Sequence, residues 1–166
     1  MTERRHELAE SEEVLLAVCG LFCGACYHYR ALSYSPERLN ALTIQRKRSP
    51  EGFLCRGCRS DVLSIHPGCA QCALRACADS RGILHCGLCP EFPCARLEAF
   101  RDDGRSHHRD VVQQLEILRE QGAEVWLAEQ TRRWQCACGE PFSWYEESCY
   151  VCGAPLASYG SDPTLR

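Results

Sequence analysis

Lysine is almost missing from this sequence. Lys47 is the only one, and arginine supplies the rest of the 19 basic side chains. Against 22 acidic residues the formal charge is −3, which argues against a general nucleic-acid binder, because phosphate contact needs a surplus of cations. Metal binding would deepen the deficit: three centres of one zinc and four thiolates would take the chain to about −9. Also missing is any apolar run long enough to cross a membrane. The charged stretch at residues 2–13 lacks the pattern of a secretory leader. Large apolar side chains are scarce, since the 45% hydrophobic share includes 15 cysteines and 16 alanines. A chain so short of core-forming residues leans on metals or disulfides. No phosphate loop and no nucleophile–base motif is visible, so the reading leans away from an enzyme.

What is abundant is cysteine, in pairs. Cys55-Arg-Gly-Cys58, Cys69-Ala-Gln-Cys72 and Cys86-Gly-Leu-Cys89 fall within forty residues, with Cys77 and Cys94 trailing the last two. One turn of backbone with that spacing aims two sulfurs at one cation, and two such turns complete a tetrahedron. An odd cysteine count and the absence of a leader favour a reduced, cytoplasmic thiol framework over disulfides. Upstream lies Cys19-Gly-Leu-Phe-Cys23-Gly-Ala-Cys26. Its spacing matches the cluster motif of radical S-adenosylmethionine enzymes, but the chain is too short for their barrel and no Gly-rich cofactor strand follows.

Periodicity places helices around the cysteines. Residues 3–17 read as a helix behind an acidic face. Ser35-Pro36 marks a second start, with an apolar stripe at Leu39, Leu42 and Ile44 and a basic end at Arg46-Lys47-Arg48. Stretches 61–67 and 79–84 read as loops between metal knuckles. Three helices follow Pro93, the last two over about 107–121 and 123–133, split by Gly122. His107 and His108 are expected at an exposed helix start. The tail, Trp134 to Gly153, carries two sulfur-bearing turns joined by Phe142-Ser-Trp144-Tyr145, the description of a zinc ribbon. The expected fold is therefore a small metal-rich α domain of irregular cysteine-rich loops and about five helices over 1–133. A small β zinc ribbon over 134–157 and a tail over 158–166 complete it.

Three zinc sites are expected. Cys23, Cys26, Cys55 and Cys58 make the first, and Cys69, Cys72, Cys86 and Cys89 the second. Cys136, Cys138, Cys149 and Cys152 make the third. Cys19, Cys77 and Cys94 are left over. They either exchange with those ligands or form an open three-thiolate site, closed by His85, for catalysis or metal transfer. His66 is the other histidine near a cysteine pair. The order of the first eleven cysteines, with Cys89-x2-Phe-Pro-Cys94, resembles a widespread microbial cysteine-rich family of unknown function over residues 14–155. The resemblance implies zinc or iron–sulfur binding and a terminal ribbon, and no activity.

Function is left between classes. A zinc-stabilised interaction or regulatory module with a protein partner is the leading reading. An iron–sulfur protein, with Cys19, Cys23 and Cys26 on a four-iron cluster, is the alternative. Thiol or metal transfer through Cys19, Cys77 and Cys94 is the third.

Overall fold

The computed structural model describes residues 13–53 and 55–161. Seven α-helices are found among them: α1 Tyr27–Arg30, α2 Pro36–Arg46, α3 Pro67–Ala70, α4 Ala73–Arg81, α5 Ala95–Arg101, α6 Val111–Gln121 and α7 Ala123–Arg133. Short 3-10 turns link them, notably Cys23–Ala25 and Cys86–Leu88.

Two of the three 11-residue helices, α6 and α7, form where the apolar spacing said they would. Val111, Leu115 and Leu118 put one face of α6 inside, and Gly122, at φ +85°, separates it from α7. The α6 helix stands between two cores. Leu115 and Val111 pack with Val18, Cys19, Cys58, Leu74, Ala78 and Leu97. Leu118 joins Leu16, Phe22, Trp126 and Leu127 on the other side, where Trp134, Phe142, Trp144 and Leu156 of the terminal segment complete the cluster. Each such large side chain contributes about 2 kcal/mol on burial. Close approach of α6 to the first cysteine loop requires Gly20, because a Cβ there would lie 2.7 Å from the Leu115 Cγ.

Four expectations need correction. No β ribbon exists among the described residues: the tail holds single bridges, Gln135 to Pro141 and Ser148 to Pro155. The linking segment spends its backbone bonds elsewhere, the Trp144 N–H on the Ala25 carbonyl and the Phe142 N–H on that of Trp134. Of the helix expected over 3–17, residues 1–12 lie outside the described residues, and Leu16 bridges to Phe22 instead of continuing a helix. The α2 helix starts as expected, with the Ser35 hydroxyl accepting from the Arg38 N–H, but its buried residue is Arg38, and Ile44 is exposed. Finally, α4 runs through Asp79 where a loop was expected; Leu74 and Ala78 bury one face and Gly82, at φ +63°, ends it.

Candidate metal centres

The clearest centre lies in the terminal segment, built from two similar turns. In the first, the Gly139 N–H reaches the Cys136 carbonyl at 2.8 Å and the Cys136 N–H reaches that of Glu140 at 2.8 Å. In the second, Gly153 donates to the Cys149 carbonyl at 2.9 Å, and Cys149 to that of Ala154 at 2.8 Å. Both glycines have positive φ, +92° and +72°, a conformation other residues rarely adopt. Together the turns bring the sulfurs of Cys136, Cys138, Cys149 and Cys152 within 4.8 Å of one another. The Cys136–Cys152 and Cys138–Cys149 sulfurs are 3.6 and 3.7 Å apart. A tetrahedron of thiolates at the zinc–sulfur distance of ~2.3 Å has edges of about 3.8 Å, so the cage has the dimensions of a single tetrahedral ion. Backbone N–H groups of Cys152 and Val151 point at the Cys149 sulfur and bring its pKa down to about 7. Such donors orient and charge-balance metal thiolates. One residue between Cys136 and Cys138, where two are usual, still permits the geometry.

The other eleven thiols are arranged differently. Among the described residues, no three of them gather at single-ion spacing, and all are free. Cys19 is buried; burial, then the charge of Cys58, raises its pKa well above the ordinary value. The same two causes raise Cys23. Cys69 is pushed up to about 12 by burial and then by Cys26 and Cys55. Cys26, up to about 11 through burial, nonetheless accepts from the His28 and Tyr29 N–H groups. Thiols so placed ionise only against a compensating cation. Cys86, which the sequence groups with Cys69, Cys72 and Cys89, faces a cavity of about 250 Å³ together with Cys77, Cys89 and Cys94. Two of the three leftover cysteines therefore stand beside Cys86 and Cys89, while Cys19 lies in the buried cluster with Cys58.

The histidines divide as well. His66 caps α3, its Nδ1 accepting from the Gly68 N–H at 3.1 Å. His85 is buried with its Nδ1 lacking a hydrogen-bond partner, and burial followed by the Arg59 charge holds its pKa down at about 4. His28, which no spacing argument singles out, is in the same condition. It is buried, its Nδ1 has no partner, its pKa is lowered to about 4 chiefly by burial, and its ring stands 4.1 Å from that of His66. Neutral imidazole is the metal-ligating form. Contrary to expectation, His108 is buried, stacked 3.8 Å from Phe100 and bonded to Asp103 at 3.0 Å.

No helix among the described residues is long and apolar enough to cross a membrane. No curated protein and no solved structure matches the chain. A family model described as a protein of unknown function, DUF3795, matches residues 15–99. That is just over half of the sequence and takes in all eleven cysteines before the terminal cage. The chain is a member of the DUF3795 family.

Proposed function

We propose that this chain is a multi-metal, cysteine-rich interaction or regulatory module of a reducing cytoplasm, whose terminal cage holds one structural zinc ion. The observation that carries this reading is the sulfur spacing of 3.6 and 3.7 Å in the Cys136, Cys138, Cys149 and Cys152 cage. Four thiolates saturate tetrahedral zinc and leave no open position, the mark of a structural site as opposed to a catalytic one. Such a metal fixes shape, and what it shapes here is a knuckle whose tip, Tyr150 and Val151, is 56% and 66% exposed. An apolar tip held rigidly in water favours a protein partner over a nucleic acid, in keeping with the charge of −3.

Metal analysis of protein purified without oxygen tests the zinc. Replacing Cys149 and Cys152 by serine is expected to lower bound zinc by one ion per chain. An unchanged zinc content would overturn the assignment.

A further inference from the structure

The cavity faced by Cys77, Cys86, Cys89 and Cys94 differs from the terminal cage in a way that bears on what it holds. Its four cysteines come from four separate positions. Cys77 lies on α4, Cys86 opens the 86–88 turn, Cys89 follows that turn, and Cys94 caps the start of α5. Backbone bonds fix each of these. The Cys86 N–H donates to the Val18 carbonyl at 2.8 Å, and the Cys89 N–H to that of Cys86 at 3.1 Å. The Glu98 N–H ties α5 to the Cys94 carbonyl at 3.0 Å. Leu74 and Leu97, both buried, wall the cavity. The thiols are thus presented to one space by a rigid frame.

That space is too large for a single ion. A mononuclear tetrathiolate centre draws its sulfurs to about 3.8 Å from one another and leaves no void between them. Here no three sulfurs come within 4.8 Å of one another, and the space they face measures about 250 Å³, several times the ~30 Å³ share of one water molecule. Two-iron clusters place two thiolates on each iron, and their iron and sulfide count separates them from a cubane. A cubane of four irons takes one thiolate on each corner, so its four sulfurs stand apart around a body that fills the middle.

The surroundings suit such a body. Arg81, one turn beyond Cys77 on the same face of α4, approaches the Cys89 sulfur at 3.5 Å and pairs with Glu91 at 2.8 Å. Arg96 also lines the cavity. Guanidinium groups beside cluster thiolates offset the net negative charge of the assembly and donate N–H···S bonds to it.

The geometry points to a four-iron, four-sulfide cluster held by Cys77, Cys86, Cys89 and Cys94, with Arg81 as its charged neighbour. This site uses none of the terminal cage ligands, so zinc there and iron here succeed or fail separately.

The test is made on the full chain purified without oxygen and reconstituted with ferric iron, sulfide and a thiol reductant. Iron, acid-labile sulfide and zinc are all counted. The wild type is expected to be brown, and Cys86→Ala with Cys94→Ala to carry about four fewer irons and four fewer sulfides per chain, with terminal zinc unchanged. Equal iron and sulfide in both proteins would overturn the site. So would a loss of two irons and two sulfides, or a loss of one zinc in place of iron. Should the double variant fail to fold, Arg81→Ala decides, since it touches no ligand backbone. It is expected to keep the cluster and shift its midpoint potential to more negative values, because a nearby positive charge favours the reduced state. An unmoved potential would remove the cluster from Arg81, and with it the proposal.

Discussion

Single residues decide whether the cysteine turns can close at all. Gly57 sits between Arg56 and Cys58 at φ +98°, and a Cβ there would collide with the Val14 carbonyl. Strained φ costs about 1–3 kcal/mol for a residue with a side chain, before the clash is added. Gly57→Ala is therefore expected to destabilise the fold by about 3 kcal/mol, measured as a lower urea midpoint at unchanged slope. A midpoint equal to the wild type would show that the loop has room. His107 makes a different kind of contribution. Its ring stacks 4.3 Å from Trp144, and its Nδ1 lies 2.6 Å from the Tyr145 hydroxyl. Burial first, then the charges of His108 and Arg105, bring the His107 pKa down from 6.5 to about 3, against a small opposing pull from Asp103. Between those two values the unfolded chain binds a proton that the native chain refuses, so stability rises with pH across that window and is flat above it. His107→Phe is expected to flatten the dependence between pH 5 and 6.5, read as the slope of unfolding free energy on metal-loaded protein. If wild type and variant keep the same slope, another group carries it.

Elements reveal where sequence patterns suffice and where they do not. The α7 helix and the end of α6 were legible, because Val111, Leu115 and Leu118 recur at helical spacing and Gly122 punctuates them, whereas α6 starts a turn later than expected, after the separate 3-10 turn Ser106–His108. The α4 helix was not, since its interior face is Leu74 and Ala78 and its remaining residues include a cysteine that reads as a ligand in a loop. The terminal cage was legible because its four cysteines have no competitors nearby in the chain. Grouping among the other eleven was not, because tertiary packing, and not spacing, sets Cys86 beside Cys77 and Cys94. Arg38 shows the same limit. A helix start was visible at Ser35, but nothing local announces that Arg38 turns inward to place one Nη 2.6 Å from Glu140 and the other 2.8 Å from Glu146. Its guanidinium also lies 3.9 Å from the Tyr34 ring centre and 4.7 Å from that of Tyr150. It clamps α2 to both turns of the terminal segment. Loss of this largely buried partner leaves Glu146 without its cation and Glu140 with Arg30 alone, at 3.5 Å, and their partial exposure moderates the cost. Arg38→Ala should lower stability by about 2 kcal/mol. Arg38→Lys should recover little of it, since one ammonium cannot span two carboxylates and stack on rings. Full rescue by lysine in urea titrations would reduce the clamp to a simple charge effect.

At the scale of the whole molecule the terminal segment and the body share one interior. All three tryptophans, Trp126 of α7 with Trp134 and Trp144 of the tail, lie in the same cluster as Leu16 and Phe22, and Phe22 meets Trp126 edge to face at 6.1 Å. Polar links cross the same boundary: the Tyr159 hydroxyl donates to Asp110 at 3.0 Å, and the Trp134 indole N–H to Gln130 at 3.2 Å. A metal that holds the cage therefore also holds one wall of the main core. Zinc binding to folded but not unfolded chain is folding free energy, and small domains with one interior unfold as a unit. With zinc in the cage as proposed, a chelator is accordingly expected to red-shift tryptophan emission and to abolish near-ultraviolet dichroism together, in one transition reversed by added zinc. The fragment 1–133, stripped of Trp134, Phe142, Trp144 and Leu156, should expose the Leu16, Phe22 and Trp126 surface. It should bind a hydrophobic dye and show no cooperative unfolding. A fragment that melts as sharply as the full chain would mean that the metal cage decorates an independent body, and the coupling argued from the shared tryptophan core would be lost.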